Sequence, residues 1–479
     1  MPKVLFAAAE AAPFAQTGGL AEVIGSLPQE LVKQGADVRV VLPKYDSIPE
    51  VYKEKMKFLF HITVLVSWRQ QHCGVFELVH KGVTYYFVDN EYYFRRFGLY
   101  GFYDDAERYA FFSRAVLEIL PRLSFRPDVI HCHDWHVGMI SVFLKTHYAH
   151  RTFYQTIRTV FTIHNLRYQG VFSKNILTEL FGMDLSFFKS DLLEFYDGVN
   201  FLKGGLVFSD KITTVSKTYA EEIQHPYFGE RLDGLLRVRQ ADLSGIINGI
   251  DYDIYNPADD QLIPVNYDVR TFERKQKNKM KLQERLGLSV RPDVPVLAMV
   301  SRLVGPKGLD LLSYILDELL SERDLQLIVL GTGEEQYEQF FRQAAWQYPD
   351  KISANIYFDN TLAHQIYAGA DLFLMPSLFE PCGIGQLIAL RYGVLPVVRE
   401  TGGLKDTVRA FNKYTGEGNG FSFANYNAHE LLDTLKTALQ VFYDKGTWLR
   451  LVGNAMQDDY SWRHSVKEYM SIYKSLARF

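Results

Sequence analysis

A chain of 479 residues exceeds one ordinary hydrophobic core, so two domains are expected. With 47% apolar and 23% charged residues and a net charge of −4, the composition is globular. It lacks the basic excess that a nucleic-acid partner would require, and a neutral or small anionic substrate fits better. Three cysteines, Cys73, Cys132 and Cys382, without CxxC spacing argue against a disulfide framework or structural zinc and suit a reducing compartment. No window approaches the roughly 20 apolar residues of a membrane span, and the opening stretch "MPKVLFAAAEAAPF" does not read as a secretory leader. A soluble, cytoplasmic protein is the expectation.

The first half alternates short apolar runs with helix-period segments. "KVLFAAA" is followed by a glycine turn and the helical pattern "LAEVIGSLPQELVKQG"; "DVRVVLP" is the second strand. "VTYYFVD", "PDVIHCHD", "IRTVFTIHN", "DKITTVS" and "LSGIINGID" continue the series. Continuous apolar strands between helices predict a parallel sheet covered on both faces. Residues 256–288 then bring Pro and Asp breakers and a charged helix without a wide apolar face, so the domain junction is placed near residues 245–262. A second alternating series runs through "VPVLAMVSRL", "LQLIVLGTG", "ISANIYF", "ADLFLMPS" and "VLPVVRETGG". Val466, Tyr469, Met470, Tyr473 and Leu476 at helical spacing predict a docked terminal helix. The division expected is residues 1–245, residues 246–458, and a C-terminal helix over 459–479 that returns to the first domain. Both domains are expected to be doubly wound, facing a central cleft lined by the carboxyl ends of their strands.

Thr-Gly-Gly-Leu occurs at 17–20 and again at 401–404, each time between a strand and a helical pattern. A Gly-Gly turn opening a helix offers backbone N–H groups and a positive dipole to an anion, while a lone turn would more often serve conformation alone. Two copies suggest two walls of a phosphate site. Arg302 and Lys307 follow a strand of the second series, where a planar fork suits a diphosphate and a compact ammonium suits a leaving oxygen. In "SLFEPCGIG", Glu380 precedes Cys382, Gly383 and a helix start, a place for a carboxylate facing hydroxyls or developing positive charge. His131, His133 and His136 crowd Asp134, but strand alternation argues against a zinc site, and Asp134 is expected to point into the cleft. His164 closes another strand on the same side. "VLGTGEE" lacks the third glycine of a dinucleotide fingerprint.

Together these stretches resemble the bacterial glycogen synthase and starch synthase family of retaining glucosyltransferases, glycosyltransferase family 5. "TGGLAEVIGSLPQEL", "DVRVVLPKY", "HDWH", "TIHNLRYQG", "NGID", "SRL…KGLDLL", "FEPCG", "ALRYG" and "TGGLKDTV" stand in family order through nearly the whole chain. The resemblance implies two Rossmann-like domains of the GT-B type, and transfer of glucose from ADP-glucose, or UDP-glucose, to the nonreducing 4-hydroxyl of an α-1,4-glucan such as glycogen. It implies retention of configuration, no metal and no cofactor, and neither nucleic acid nor membrane as partner. By that resemblance Arg302 and Lys307 hold the diphosphate, and Glu380 binds the donor glucose and supports its oxocarbenium-like transition state. The His164 carbonyl faces the same charge with its side chain near the sugar, and Asp134 holds sugar hydroxyls. Gln16, Gly18, Gly19, Glu22, Asn248, Cys382, Gly383, Thr401, Gly402 and Gly403 are assigned to donor binding, and Phe358 to stacking on the base.

The chain departs from the family pattern at five positions. Gln16 replaces the usual Lys, Glu22 an Asp, and Pro306 the Gln before Lys307; Gly385 and Ile388 replace Asn and Tyr. The missing Lys removes a positive charge from the expected phosphate wall. It leaves open, as an alternative, a weakly active homologue that binds glucan or nucleotide and regulates a partner. A retaining nucleotide-sugar transferase with a small acceptor, of the sucrose-phosphate or sugar-alcohol kind, is a second enzyme reading that the "HDWH" and "FEPCG" context disfavours.

Overall fold

A computed structural model describes residues 1–477, so the last two positions of the expected terminal helix lie outside the described residues. The chain divides into two compact units. One comprises Met1–Asn248 with the chain from Trp462 onward; the other is Gly249–Ser461.

In the first unit the strands are β1 (Lys3–Ala7), β2 (Asp37–Pro43), β3 (Lys57–Val66), β4 (Arg69–His80), β5 (Val83–Asp89), β6 (Val129–His133), β7 (Arg158–Ile163), β8 (Val171–Ser173), β9 (Glu194–Phe195), β10 (Gly198–Asn200), β11 (Lys211–Thr214) and β12 (Leu243–Gly245). Among the described residues they form a nine-stranded sheet of order β12-β11-β7-β6-β1-β2-β5-β4-β3 and a small antiparallel sheet β8-β10-β9. The large sheet is parallel from β12 to β5, as the apolar runs predict. The β3–β4 hairpin, which the sequence reading did not anticipate, adds to its edge antiparallel. Along β3 burial alternates at the Val64–Val66 end while Lys57, Phe58, His61, Thr63 and Leu65 are exposed, as in an edge strand with one solvated face. The strand order reverses between β1 and β6, so the loops after those strands flank the switch point where doubly wound sheets bind ligands.

The terminal helix Trp462–Leu476 belongs to this unit. It buries Val466, Tyr469, Met470 and Tyr473, the face expected from their spacing, and Tyr473 Oη lies 2.7 Å from His131 Nδ1 on β6.

The second unit carries β13 (Val296–Val300), β14 (Gln326–Leu330), β15 (Ile352–Asn355), β16 (Leu372–Met375), β17 (Leu395–Arg399) and β18 (Phe421–Phe423). Every pairing is parallel and the order is β15-β14-β13-β16-β17-β18, the dinucleotide-fold order with its switch point between β13 and β16. Leu327, Ile328 and Val329 are wholly buried, as expected for a central strand covered on both faces.

The charged helix Lys275–Arg285 lacks a wide apolar face, as its sequence predicts. Instead of an apolar face it buries polar groups: Lys275, Asn278, Lys279 and Gln283 beside Leu282. Lys275 Nζ donates to the carbonyls of Tyr367 and Ala368 at 2.9 and 2.8 Å, and Lys279 pairs with Asp371 at 2.7 Å. Burial pushes Lys275 down to about 7. Among the described residues, no helix is long and apolar enough to cross a membrane.

Candidate active site

In the second unit, the two loops that flank the switch point carry the residues singled out in the sequence. The loop after β13 carries Arg302 and Lys307, and the loop after β16 carries Glu380. Lys307 Nζ donates to Glu380 Oε2 at 2.5 Å, with the Ser377 hydroxyl donating to the same oxygen at 3.2 Å. Glu380 is 8% exposed. Arg302, by contrast, stands exposed with no side-chain partner among the described residues, a guanidinium open to an anion. Phe358 is 87% exposed, a bare aromatic face. Cys382 is buried, and Gly383 turns the chain with φ +76° into the helix Gly385–Arg391.

One residue that shapes this loop was not foreseen. Arg399, at the end of β17 and 8% exposed, donates from Nε to the Ser377 carbonyl at 2.8 Å and from its terminal nitrogen to the Leu378 carbonyl. A buried Arg among apolar strand residues, "VLPVVRET", was the available signal.

The second Thr-Gly-Gly-Leu turn packs against the Glu380 loop. Gly402 lies at φ +44°, and a Cβ there would come within 2.0 Å of the Glu380 carbonyl oxygen. A Cβ on Gly403 would come within 2.1 Å of the Cys382 carbonyl. The Gly403 amide donates to the carbonyls of Glu380 and Pro381, both at 3.2 Å. These glycines let the turn lie against the Glu380 loop, so the Gly403 amide is engaged within the protein.

The first copy is open. Gln16, Thr17, Gly18 and Gly19 are all exposed, and a Cβ on Gly18 would meet nothing within 4 Å. The turn is held from beneath by Glu10, which sequence reasoning missed. Its carboxylate accepts from the Thr17 amide at 2.5 Å, the Thr17 hydroxyl at 2.8 Å and the Tyr100 hydroxyl at 2.6 Å. A lone Glu inside "AAAEAAP" at the end of a buried strand was the clue. Glu22, one turn into the helix Gly19–Lys33, is raised by burial to about 7.

At the β1/β6 switch point of the first unit, Asp134 follows β6 at φ +61°, a rare conformation for a non-glycine residue and of the kind that concentrates at functional sites. Its Oδ1 accepts from the His164 amide at 2.8 Å, and the Asn165 amide also donates to it. The carboxylate therefore fixes the turn after β7 that carries the His164 carbonyl. Burial raises it to about 7 against those two hydrogen bonds. His164 Nε2 lies 3.0 Å from His133 Nδ1, and burial lowers His164 to about 3. His131 and His133 share one face of β6 with ring centroids 4.0 Å apart, while Cys132 is on the other. Asn248 is 6% exposed and its Oδ1 has no hydrogen-bond partner among the described residues.

A cavity of about 440 Å³ opens just beyond these residues in the first unit. Trp135, Tyr168 and Phe195 supply aromatic walls, and Arg167, Arg231 and Glu230 supply charges of both signs. Glu230 and Arg231 are consecutive left-handed residues at φ +45° and +66°.

Comparison with known proteins agrees with this arrangement. Residues 3–238 match the starch synthase catalytic domain family, and residues 282–441 match the glycosyl transferases group 1 family. The class is thus a glycosyltransferase of two doubly wound units. The glycogen synthase of Desulforamulus reducens is 58% identical over 474 residues, covering 99% of this chain and 98% of the relative. That of Geobacillus stearothermophilus is 57% identical over 476 residues, with the same coverages. Among solved structures, the catalytic domain of starch synthase IV from Arabidopsis thaliana, bound to ADP and acarbose, superposes with a TM-score of 0.92 at 32% identity and covers 99% of both chains. Sucrose-phosphate synthase from Thermosynechococcus elongatus shares the fold at a TM-score of 0.63 and 14% identity, with 99% of both chains covered. The chain belongs to the bacterial glycogen synthase and starch synthase family.

Proposed function

We propose that this family member takes ADP-glucose as donor and extends an α-1,4-glucan at its nonreducing 4-hydroxyl with retention of configuration. The observation that carries the donor side is the pair of loops at the β13/β16 switch point, with Lys307 2.5 Å from Glu380 and Arg302, without a side-chain partner among the described residues, in the same loop as Lys307. Breaking a sugar–phosphate bond requires stabilisation of the departing diphosphate and of positive charge on the sugar. Arg302 and Lys307 supply cations for the first, and Glu380 an oriented carboxylate for the second. On donor binding Lys307 exchanges its carboxylate partner for a phosphate oxygen, leaving Glu380 to the glucose. Phe358 offers a face to the base, and Asn248 Oδ1 an unfilled acceptor for a donor hydroxyl.

The turn at 17–19 and the His164 carbonyl, each braced by a carboxylate, belong to the same chemistry in this reading. The mixed aromatic and charged cavity at Trp135, Tyr168, Arg231 and Glu230 suits a glucosyl unit of the acceptor. Aromatic rings accept the sugar's C–H face, and opposed charges bind hydroxyls while disfavouring a net anion. The cytoplasm is the compartment that suits three buried free thiols. A weakly active binding homologue, the alternative that Gln16 raised, finds no support in relatives that are named glycogen synthase at this identity over the whole chain.

Purified protein incubated with glycogen and either ADP-glucose or UDP-glucose tests the reading. Nucleotide release with glucan elongation, faster with ADP-glucose, is expected; equal or better use of UDP-glucose overturns the donor assignment, and no elongation with either overturns the activity.

A further inference from the structure

The buried histidines of β6 contain an asymmetry that the proposed chemistry leaves unused. His131 is satisfied at both ring nitrogens, by Tyr473 Oη at 2.7 Å and Thr162 Oγ1 at 2.6 Å. His133 is wholly buried, and its ring lies against Phe6 at 5.0 Å and His131 at 4.0 Å. Only its Nδ1 is engaged, 3.0 Å from His164 Nε2; its Nε2 has no partner among the described residues.

One of those two nitrogens must carry the shared proton, and the unpartnered nitrogen decides which. If His133 accepted through Nδ1, its own proton would sit on Nε2, a buried N–H with no acceptor. Orphaned buried N–H groups are rarer in folded proteins than unfilled acceptors. The opposite tautomer leaves only a lone pair unfilled at Nε2. Which nitrogen of an imidazole is protonated is set by the bond that the other makes. The His164 ring is thereby specified in turn: its Nε2 accepts, so its Nδ1 carries the proton. Burial holds both rings neutral.

We infer that His133 is a positioning residue that donates through Nδ1–H to His164 Nε2, locking His164 as the neutral tautomer that presents Nδ1–H as a donor to a sugar hydroxyl. This rests on the reading that His164 faces the donor sugar. His133 itself touches no reactant. It acts by fixing the orientation and tautomer of a ring that would otherwise pivot between two hydrogen-bonding states.

Nitrogen-15 spectra of the full chain labelled at histidine, with His164→Gln and His133→Asn for assignment, read the tautomer directly and independently of turnover. A pyridine-like Nε2 and a protonated Nδ1 on His164 are expected; a protonated His164 Nε2 overturns the inference. Kinetics read its consequence. His133→Asn, whose amide N–H can replace Nδ1–H, should keep kcat within about threefold of wild type, whereas the ring-filling His133→Phe, which cannot donate, should lower it about tenfold or more with little change in glycogen KM. A merely structural role predicts that Phe is tolerated at least as well as Asn, and that order of activities overturns the proposal. Absence of turnover in the wild type would overturn the glucan-synthase reading instead, while the spectra would still decide the tautomer.

Discussion

Lys307 and Glu380 close on each other across the β13/β16 switch point, with Nζ 2.5 Å from Oε2. The ammonium proposed to receive the leaving diphosphate and the carboxylate proposed to face the sugar are thus partners before any donor arrives. Glu380→Gln keeps the shape and the hydrogen-bonding capacity while removing the charge. It should lower kcat by about 10²–10³-fold with a melting temperature near wild type. Turnover close to wild type in this variant would remove Glu380 from the chemistry.

Lys307→Met leaves Glu380 without its cation and removes a phosphate ligand. A fall in kcat of about 10²-fold or more is expected, together with a raised donor KM and an unchanged acceptor KM. If the acceptor KM alone moved, Lys307 would belong to a different part of the reaction.

The two Thr-Gly-Gly-Leu turns should respond differently to one added methyl group. Gly402→Ala drives a Cβ towards the Glu380 carbonyl, 2.0 Å away, from a backbone at φ +44°. A loss of about 2–4 kcal/mol in stability or near-complete loss of turnover is expected. Gly18→Ala meets open space at an extended φ of −167° and should leave the melting temperature unchanged. Thermal melts and initial rates of the pair measure this directly, and equal tolerance at both positions would contradict the packing described here.

Gln16 stands exposed on the open turn. Gln16→Lys adds a cation there and should lower the donor KM by about threefold to tenfold, an effect that shrinks in high salt. A donor response unchanged at low ionic strength would show that the phosphates do not approach this turn.

Glu22 supplies a pH effect of definite sign. Burial raises its carboxyl to about 7, so it is neutral below that pH and negative above it. The negative form repels an anionic donor, so donor KM should rise by roughly threefold between pH 6 and 8. In Glu22→Gln that rise should be absent. A pH profile identical in the two proteins would remove Glu22 from the donor's surroundings.

The acceptor assignment is tested by Tyr168→Ala and Arg231→Ala in the cavity of the first unit. Each should raise the KM for glycogen by about threefold to tenfold with donor KM unchanged. An increase in donor KM alone would place the nucleotide there instead.

Much of the parallel architecture could be read from the sequence. "DVRVVLP" and "VTYYFVD" gave β2 and β5 residue for residue, since continuous apolar runs between helical periods have few other solutions. The β3–β4 hairpin was not read from the sequence although β3, "KFLFHITVLV", is largely apolar; the helix Lys275–Arg285 was read as charged, but not the polar partners that fill its buried face. Arg302, Lys307 and Glu380 could be named from their place at strand ends. Glu10 and Arg399 could not, because each acts on residues distant in sequence or on backbone carbonyls that no motif displays.

The sequence by itself determined the residue types of the site and the strand ends on which they stand, because strand and helix periods are local properties of the chain. The tertiary structure decided how they act. It turned two identical tetrapeptides into an open turn and a packing surface, since only the neighbouring loop defines the space around a glycine. It gave the Asp134 carboxylate to the His164 and Asn165 amides, and it left one nitrogen of His133 without a partner among the described residues. Hydrogen-bond partners and burial are set by approach in space, and the order of residues along the chain does not encode them one by one.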